Sequence, residues 1–249
     1  TITGRMAHNS PNMAQIPAVY SPYGKACRGL WTVSDIKKYK LVGTDASGLE
    51  LRCLAHYLND TNYTDEILNG DIHTKNMELA GLEGRAQAKT FIYAFLYGAG
   101  PEKIGKIVGE GRDKGNILIN RFLSNLPALK RLRNQVENAS RRGKIKAIDG
   151  RYLKVRSTHS ALNTLLQGAG AIICKQWLLH IIKRVYNKKL DVKLVASVHD
   201  EYQFEVANED VNEFCSITKI AMKETEKTLN LRCPLDNDYK VGVTWKETH

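Results

Sequence analysis

Cysteine is scarce in this chain and badly spaced for any framework. Five cysteines (27, 53, 174, 215 and 233) are spread over 249 residues, odd in number and with no CxxC pair. That argues against a disulfide-stapled fold or a thiolate zinc site and fits a reducing compartment. Nothing resembles a signal peptide or a membrane span, so the expected setting is cytoplasmic, with no membrane partner. There is no internal repeat and no low-complexity segment. The first residue is Thr rather than Met, which suggests a piece of a longer protein. The length still allows one large or two smaller domains with a real core.

Acidic residues are also in short supply. Lys and Arg number 37 against 26 Asp and Glu, a formal net charge of +11. The excess is local: between Glu102 and Arg156 there are 15 basic and 5 acidic residues, and the rest is near neutral. Such a block suits a polyanion, nucleic acid being the usual one. A merely solvated face is the plainer alternative.

Against this background one stretch stands out. Leu194 to Val198 and Tyr202 to Val206 are apolar runs flanking His199-Asp200-Glu201. Their Val, Phe and Tyr content predicts a β-hairpin bent at those three polar residues. A carboxylate on a rigid sheet edge is suited to a metal ion. A second lies far upstream, where Tyr39 to Thr44 reads as a short buried strand and Asp45 follows it. Ala46-Ser47-Gly48 then turns into a helical run, Leu49 to Leu58. If the two strands lie side by side, Asp45 and Asp200 can hold two Mg²⁺ ions for in-line attack on a phosphate. Taken singly, each Asp reads as well as a turn or cap residue.

Gly84 to Gly98 predicts a helix bounded by glycines. Arg85, Lys89, Tyr93 and Tyr97 recur every four residues on one face, over roughly 18 Å. Two cations followed by two aromatics match the order of a nucleoside triphosphate, phosphates first and then sugar and base. Core packing accounts for the aromatics but not for the aligned cations.

Elsewhere Asp71 reads as a helix cap before a run to about Ala80, with His73 beside it. Pro101 to Arg142 predicts short helices broken at Gly109, Gly111, Gly115 and Pro127. Asp149-Gly150 between two alternating runs predicts a hairpin over Gly143 to Arg156. Ala161 to Tyr186 is a long apolar helix carrying Asn163 and Gln167, whose amides need partners in the core or on DNA. Asn208 to Leu229 predicts an amphipathic helix, and Lys240 to Trp245 a closing strand. The N-terminal Thr3 to Pro17 reads as an ordinary polar loop, although its Arg, Asn and Gln can donate to phosphates or to minor-groove acceptors.

Together, Asp45-Ala-Ser-Gly-Leu-Glu50-Leu-Arg52, Arg85-x₃-Lys89-x₃-Tyr93-x₃-Tyr97-Gly98 and Val198-His199-Asp200-Glu201 resemble motifs A, B and C of family A DNA polymerases. Asp45-Ala-Ser-Gly-Leu-Glu50 and Leu162-Asn-Thr-Leu-Leu-Gln167 are similar to the T7-like phage replicative group within that family. Three ordered motifs over essentially the whole chain are far more specific than any one alone.

The resemblance implies an α+β right-hand fold: an antiparallel palm sheet with flanking helices plus helical fingers. The palm would comprise residues 1–57 (motif A) and 159–249 (motif C), and the fingers 58–158 (motif B and the basic block). It implies DNA-templated transfer of a dNTP onto a primer 3′-hydroxyl, with pyrophosphate released and two Mg²⁺ ions as cofactors. Asp45, Asp200 and Lys89 would be catalytic. Asp45, the Ala46 carbonyl and Asp200 would hold metal, with Glu201 in support. Glu50, His73, Arg85, Lys89 and Tyr93 would bind the nucleotide, Glu50 leaving no room for a ribose 2′-hydroxyl. Arg5, Asn12, Gln15, Tyr97, Asn163, Gln167 and His199 would meet primer or template DNA. The setting would be the cytoplasm of a phage-infected host.

The thumb and the proofreading exonuclease normally precede Thr3-Gly4-Arg5. Both are expected to be missing, and no Asp-x-Glu exonuclease-type motif occurs in the chain. The implied partners are therefore primer-template DNA, dNTPs and a separate thumb or exonuclease portion. The alternative function is a non-catalytic nucleic-acid-binding fragment that needs such a portion.

Overall fold

The computed structural model describes residues 1–249, and the chain folds as two compact units. The first unit contains Thr3–Leu49 and Gly170–His249. Its centre is a four-stranded antiparallel sheet in the order β4-β5-β1-β6, from β1 (Tyr39–Ala46), β4 (Val192–Val198), β5 (Glu201–Ala207) and β6 (Asn237–Gly242). The alternation of β1 sets the two faces. Val42 and Thr44 point with Tyr202, Phe204 and Val206 into a buried layer. That layer is closed by α10 (Val211–Thr228) and by the part of α9 (Ala161–Lys188) that follows Gly170. Trp177 on α9 meets Tyr202 at 5.5 Å between ring centroids, and Phe214 on α10 meets Phe204 at 4.8 Å.

The Trp177 indole N–H also donates to the Thr218 carbonyl at 2.9 Å, deep in this core. Trp177→Phe keeps most of the buried ring but removes that hydrogen bond, so a loss of about 1 kcal/mol is expected in denaturant unfolding.

On the other face Val33, Leu41, Val198 and Trp245 form a smaller cluster. Trp245 therefore packs beneath the sheet instead of ending the last strand, which runs Asn237–Gly242 rather than Lys240 to Trp245. The polar start of that strand disguises it in sequence. Asn237 is fully buried there because its amide donates to the Thr44 and Thr218 hydroxyls at 2.9 and 3.1 Å.

By length and composition alone the helical stretch Thr158–Lys188, which contains α9, is apolar enough to cross a membrane. Most of its apolar window, 61%, is buried inside the protein, as in a core helix.

The second unit, Glu50–Ala169, is helical apart from the hairpin of β2 (Lys144–Lys146) and β3 (Tyr152–Lys154). It holds most of α2 (Leu49–Leu58), then α3 (Thr61–Leu68), α4 (Ile72–Ala80), α5 (Arg85–Leu96), α6 (Pro101–Lys106), α7 (Arg112–Asn125) and α8 (Pro127–Ser140). Phe91 and Phe95 of α5 stack edge-on against Phe122 of α7, at 5.3 and 5.6 Å. Two elements escape the sequence reading, α3 and the short α1 (Gly24–Gly29) of the first unit. Gly115 does not break a helix as expected. It lies inside α7, where a Cβ would stand 1.8 Å from the Pro101 carbonyl oxygen, so its missing side chain lets α6 and α7 touch.

Candidate active site

The first unit brings Asp45 and Asp200 to one end of neighbouring strands. Asp45 is the penultimate residue of β1, and Asp200 forms the two-residue bend between β4 and β5 with His199, which takes a left-handed φ of 57°. The Ala46 amide donates to the Asp200 carbonyl at 3.2 Å, which fixes the two segments side by side. The residue directly across from Asp45 is Glu201, not Asp200. Asp45 is exposed, Ala46 buried and Asp200 half-buried. Two carboxylates and a main-chain carbonyl are hard oxygen donors, the set that suits Mg²⁺.

Glu201 is already engaged, through its carboxylate, by side chains of its own unit. Its side chain is buried, one oxygen accepts from Trp245 Nε1 at 2.7 Å and from the Gln203 amide, and His249 sits on the other. Burial alone pushes this carboxyl up, but the hydrogen bonds from His249, Gln203 and Trp245 hold it below its ordinary value. His249 is its ion-pair partner, and a buried guanidinium, Arg28, lies nearby, 4.1 Å above the Trp245 ring. Burial lowers the Arg28 pKa while Glu201 pulls it back up.

A carboxylate that sequence reasoning missed flanks Asp45 from the other side. Asp238 of β6 is its register partner and accepts from the Ser47 hydroxyl at 2.8 Å. A pocket of about 290 Å³ opens there, lined by Asp45, Glu201, Asp238 and Lys240 among others. Only the pairing of β6, itself hidden by its polar start, would have pointed to it.

Arg5, Asn12 and Gln15 also belong to this unit. Asn12 and Gln15 are exposed at a short 3₁₀ turn, which Asn12 caps by accepting from the Ala14 amide at 3.2 Å. The Arg5 guanidinium lies over Gly170 of α9.

The second unit carries the other group. On α5, Ala88, Phe91, Ile92, Phe95 and Leu96 are buried, while Arg85, Lys89 and Tyr97 are exposed and Tyr93 is half-buried. The four-residue spacing therefore does produce one open face. Gly98, at φ 79°, ends the helix after Tyr97. The Tyr97 hydroxyl donates to Glu50 at 3.0 Å, and the Tyr93 and Tyr97 rings lie 6.4 Å apart. His73 on α4 lies 6.2 Å from the Tyr93 ring, and its Nδ1 is buried without a partner. Burial, then the Arg85 and Lys89 charges, hold its pKa below the ordinary value. Asn163 and Gln167 are half-buried on α9, and the Asn163 amide oxygen is also buried without a partner.

An antiparallel sheet with aspartates at one strand end, and a helical unit with a cation–aromatic helix, make up the α+β palm-and-fingers fold of a polymerase. The chain belongs to DNA polymerase family A, whose family model matches residues 1–247. The DNA-directed DNA polymerases of Enterobacteria phage T3 and Escherichia phage T7 are each 43% identical to it over 279 aligned positions, covering 100% of this chain and 40% of theirs. DNA polymerase I of Geobacillus stearothermophilus is 29% identical over 98% of this chain and 30% of its own. The POL domain of Pol1 from M. smegmatis, solved in complex with DNA primer-template and dNTP, has the same fold. Its TM-score is 0.89 at 21% identity, over 100% of this chain and 47% of that one. The chain thus spans less than half the length of these relatives.

Proposed function

We propose that this chain carries the catalytic centre of a DNA-templated DNA polymerase, which adds a dNTP to a primer 3′-hydroxyl and releases pyrophosphate. The observation that carries the reading is the meeting of the Asp45 and Asp200 segments on adjacent strands, in a chain of family A. Asp45, Asp200 and the Ala46 carbonyl would hold two Mg²⁺ ions. Bound there, these supply charge neutralisation at the phosphates and a lowered pKa at the primer hydroxyl. Arg85 and Lys89 bind triphosphate oxygens as a fork and a point charge, Lys89 beside the reacting phosphate, and His73 donates to them. Tyr93 lies against the sugar. Glu50, held by Tyr97, fills the space of a 2′-hydroxyl, so deoxynucleotides are selected. Arg5, Asn12, Gln15, Tyr97, Asn163, Gln167 and His199 contact primer or template. In this reading the palm is 1–57 with 159–249, and the fingers are 58–158.

A second reading follows from length. Because the relatives are more than twice as long, the chain on its own could be a nucleic-acid-binding part that becomes catalytic only with a thumb-containing polypeptide. Primer extension with Mg²⁺, run with and without such a polypeptide, separates the two. Nucleotide incorporation by the chain alone supports the first, incorporation only in the mixture supports the second, and none in either removes both.

Tyr93 gives a finer check. In this reading its hydroxyl takes the space and hydrogen bond left by an absent 3′-hydroxyl, so dideoxynucleotides should be accepted well. Tyr93→Phe is expected to raise discrimination against them several-fold. Equal ratios of dideoxy to deoxy incorporation in both forms would remove that role.

A further inference from the structure

We infer that Asp71 is a positioning residue for Arg85, holding the guanidinium so that its remaining donors are presented to the nucleotide's phosphates. The inference rests on the reading of Arg85 as a phosphate ligand. The geometry is a two-point fork: Arg85 Nε donates to Asp71 Oδ2 at 2.6 Å and Nη2 to Oδ1 at 3.1 Å. Pairing through Nε and Nη2 leaves one hydrogen of Nη2 and one of Nη1 side by side on the distal edge of a rigid plane, with the second Nη1 hydrogen on the remaining side. The two parallel donors of that distal edge match two oxygens of a phosphate.

The carboxylate that sets this plane cannot itself turn. Asp71 is the N-cap of α4, and its oxygens accept from the amides of His73 and Thr74 at 3.1 and 3.4 Å and from the Thr74 hydroxyl at 2.8 Å. The chain of constraint runs from the start of α4 to the carboxylate and from the carboxylate to the guanidinium. Arg85 first, and then the Thr74 hydroxyl, keep the Asp71 carboxyl far below the usual range, so it stays ionised at any working pH.

Folding stability is a poor reason for the pair. The two side chains are 58% and 41% exposed, and ion pairs in that setting contribute little. The pair is neutral as a whole, so it adds orientation rather than net charge. Lys89, exposed one turn further along α5, adds the charge. The two cations of the motif therefore divide the work, one as an aimed fork and the other as a mobile point.

The test separates the cap from the pair. Asn caps a helix as well as Asp does but carries no charge, so Asp71→Asn should leave the melting temperature within about 2 °C. Binding of a fluorescent dATP analogue to the chain, with Mg²⁺ and primer-template present, should weaken about fivefold to tenfold. In an Arg85→Ala background the same substitution should change binding less than about twofold, since the group it acts through is gone. Wild-type affinity in Asp71→Asn, or equal weakening with and without Arg85, overturns the proposal and leaves the polymerase reading standing. A wild-type chain that binds no nucleotide removes that reading, and the role of Asp71 with it.

Discussion

Asp200→Ala is expected to lower primer extension at least about a thousandfold, equivalent to about 4 kcal/mol of lost transition-state stabilisation. The fold should survive the change. The main-chain carbonyl of Asp200, which accepts from the Ala46 amide and ties the bend to β1, is supplied equally by alanine. The strained residue of the bend is His199, with its positive φ, and it is untouched. Asp45→Ala should act alike on activity but differently on stability. Asp45 stands in register between Glu201 and Asp238, so three carboxylates lie in a row across β5, β1 and β6. Removing the exposed central charge relieves like-charge repulsion between strands, which is destabilising when charges lie directly opposite. The expected pattern, on the polymerase reading proposed above, is an inactive protein that remains folded in denaturant titration. Extension that persists in either variant would show that these aspartates do not hold the metal.

The pattern of what could be read in the sequence has a physical cause. Signals of short range were legible: the alternating runs of β4 and β5, the strand before Asp45, and the four-residue spacing that gives α5 one buried and one open face. These depend only on neighbours within a turn or a strand. Asp71 was legible as a cap for the same reason, its donors being the amides two and three residues on. Its other half, the fork to Arg85, spans 14 positions across two helices, and no local pattern encodes it. Asn237 shows the opposite failure. A buried Asn opening a strand contradicts local propensity and is stable only because Thr44 and Thr218 supply partners from far along the chain. Gly115 misled in a third way, since glycine is permitted both at a helix break and at a close helix crossing.

Glu201 shows most sharply how tertiary partners decide a role, because its carboxylate is adjacent in sequence to Asp200 yet points to a different task. Glu201→Ala is expected to cost about 3–5 kcal/mol of stability, the scale for removing one partner of a buried charge set. It leaves the Trp245 indole N–H without its acceptor and His249 without its partner, and it removes a favourable charge near the buried Arg28 guanidinium. Glu201→Gln keeps an acceptor for Trp245 and should recover part of the loss, the remainder measuring the charge itself. The pH dependence has a definite sign. A carboxyl held below its ordinary value of 4.5 stabilises the fold fully above that value. The contribution then fades as pH falls through the lowered folded-state value. Denaturant midpoints of wild type and Glu201→Gln should therefore differ at pH 7 and converge below pH 4.5. If Glu201 were instead a metal ligand, its loss would remove activity and leave the unfolding midpoint in place. A stable, inactive Glu201→Ala protein would reverse the assignment and move Glu201 in among the groups proposed to hold Mg²⁺.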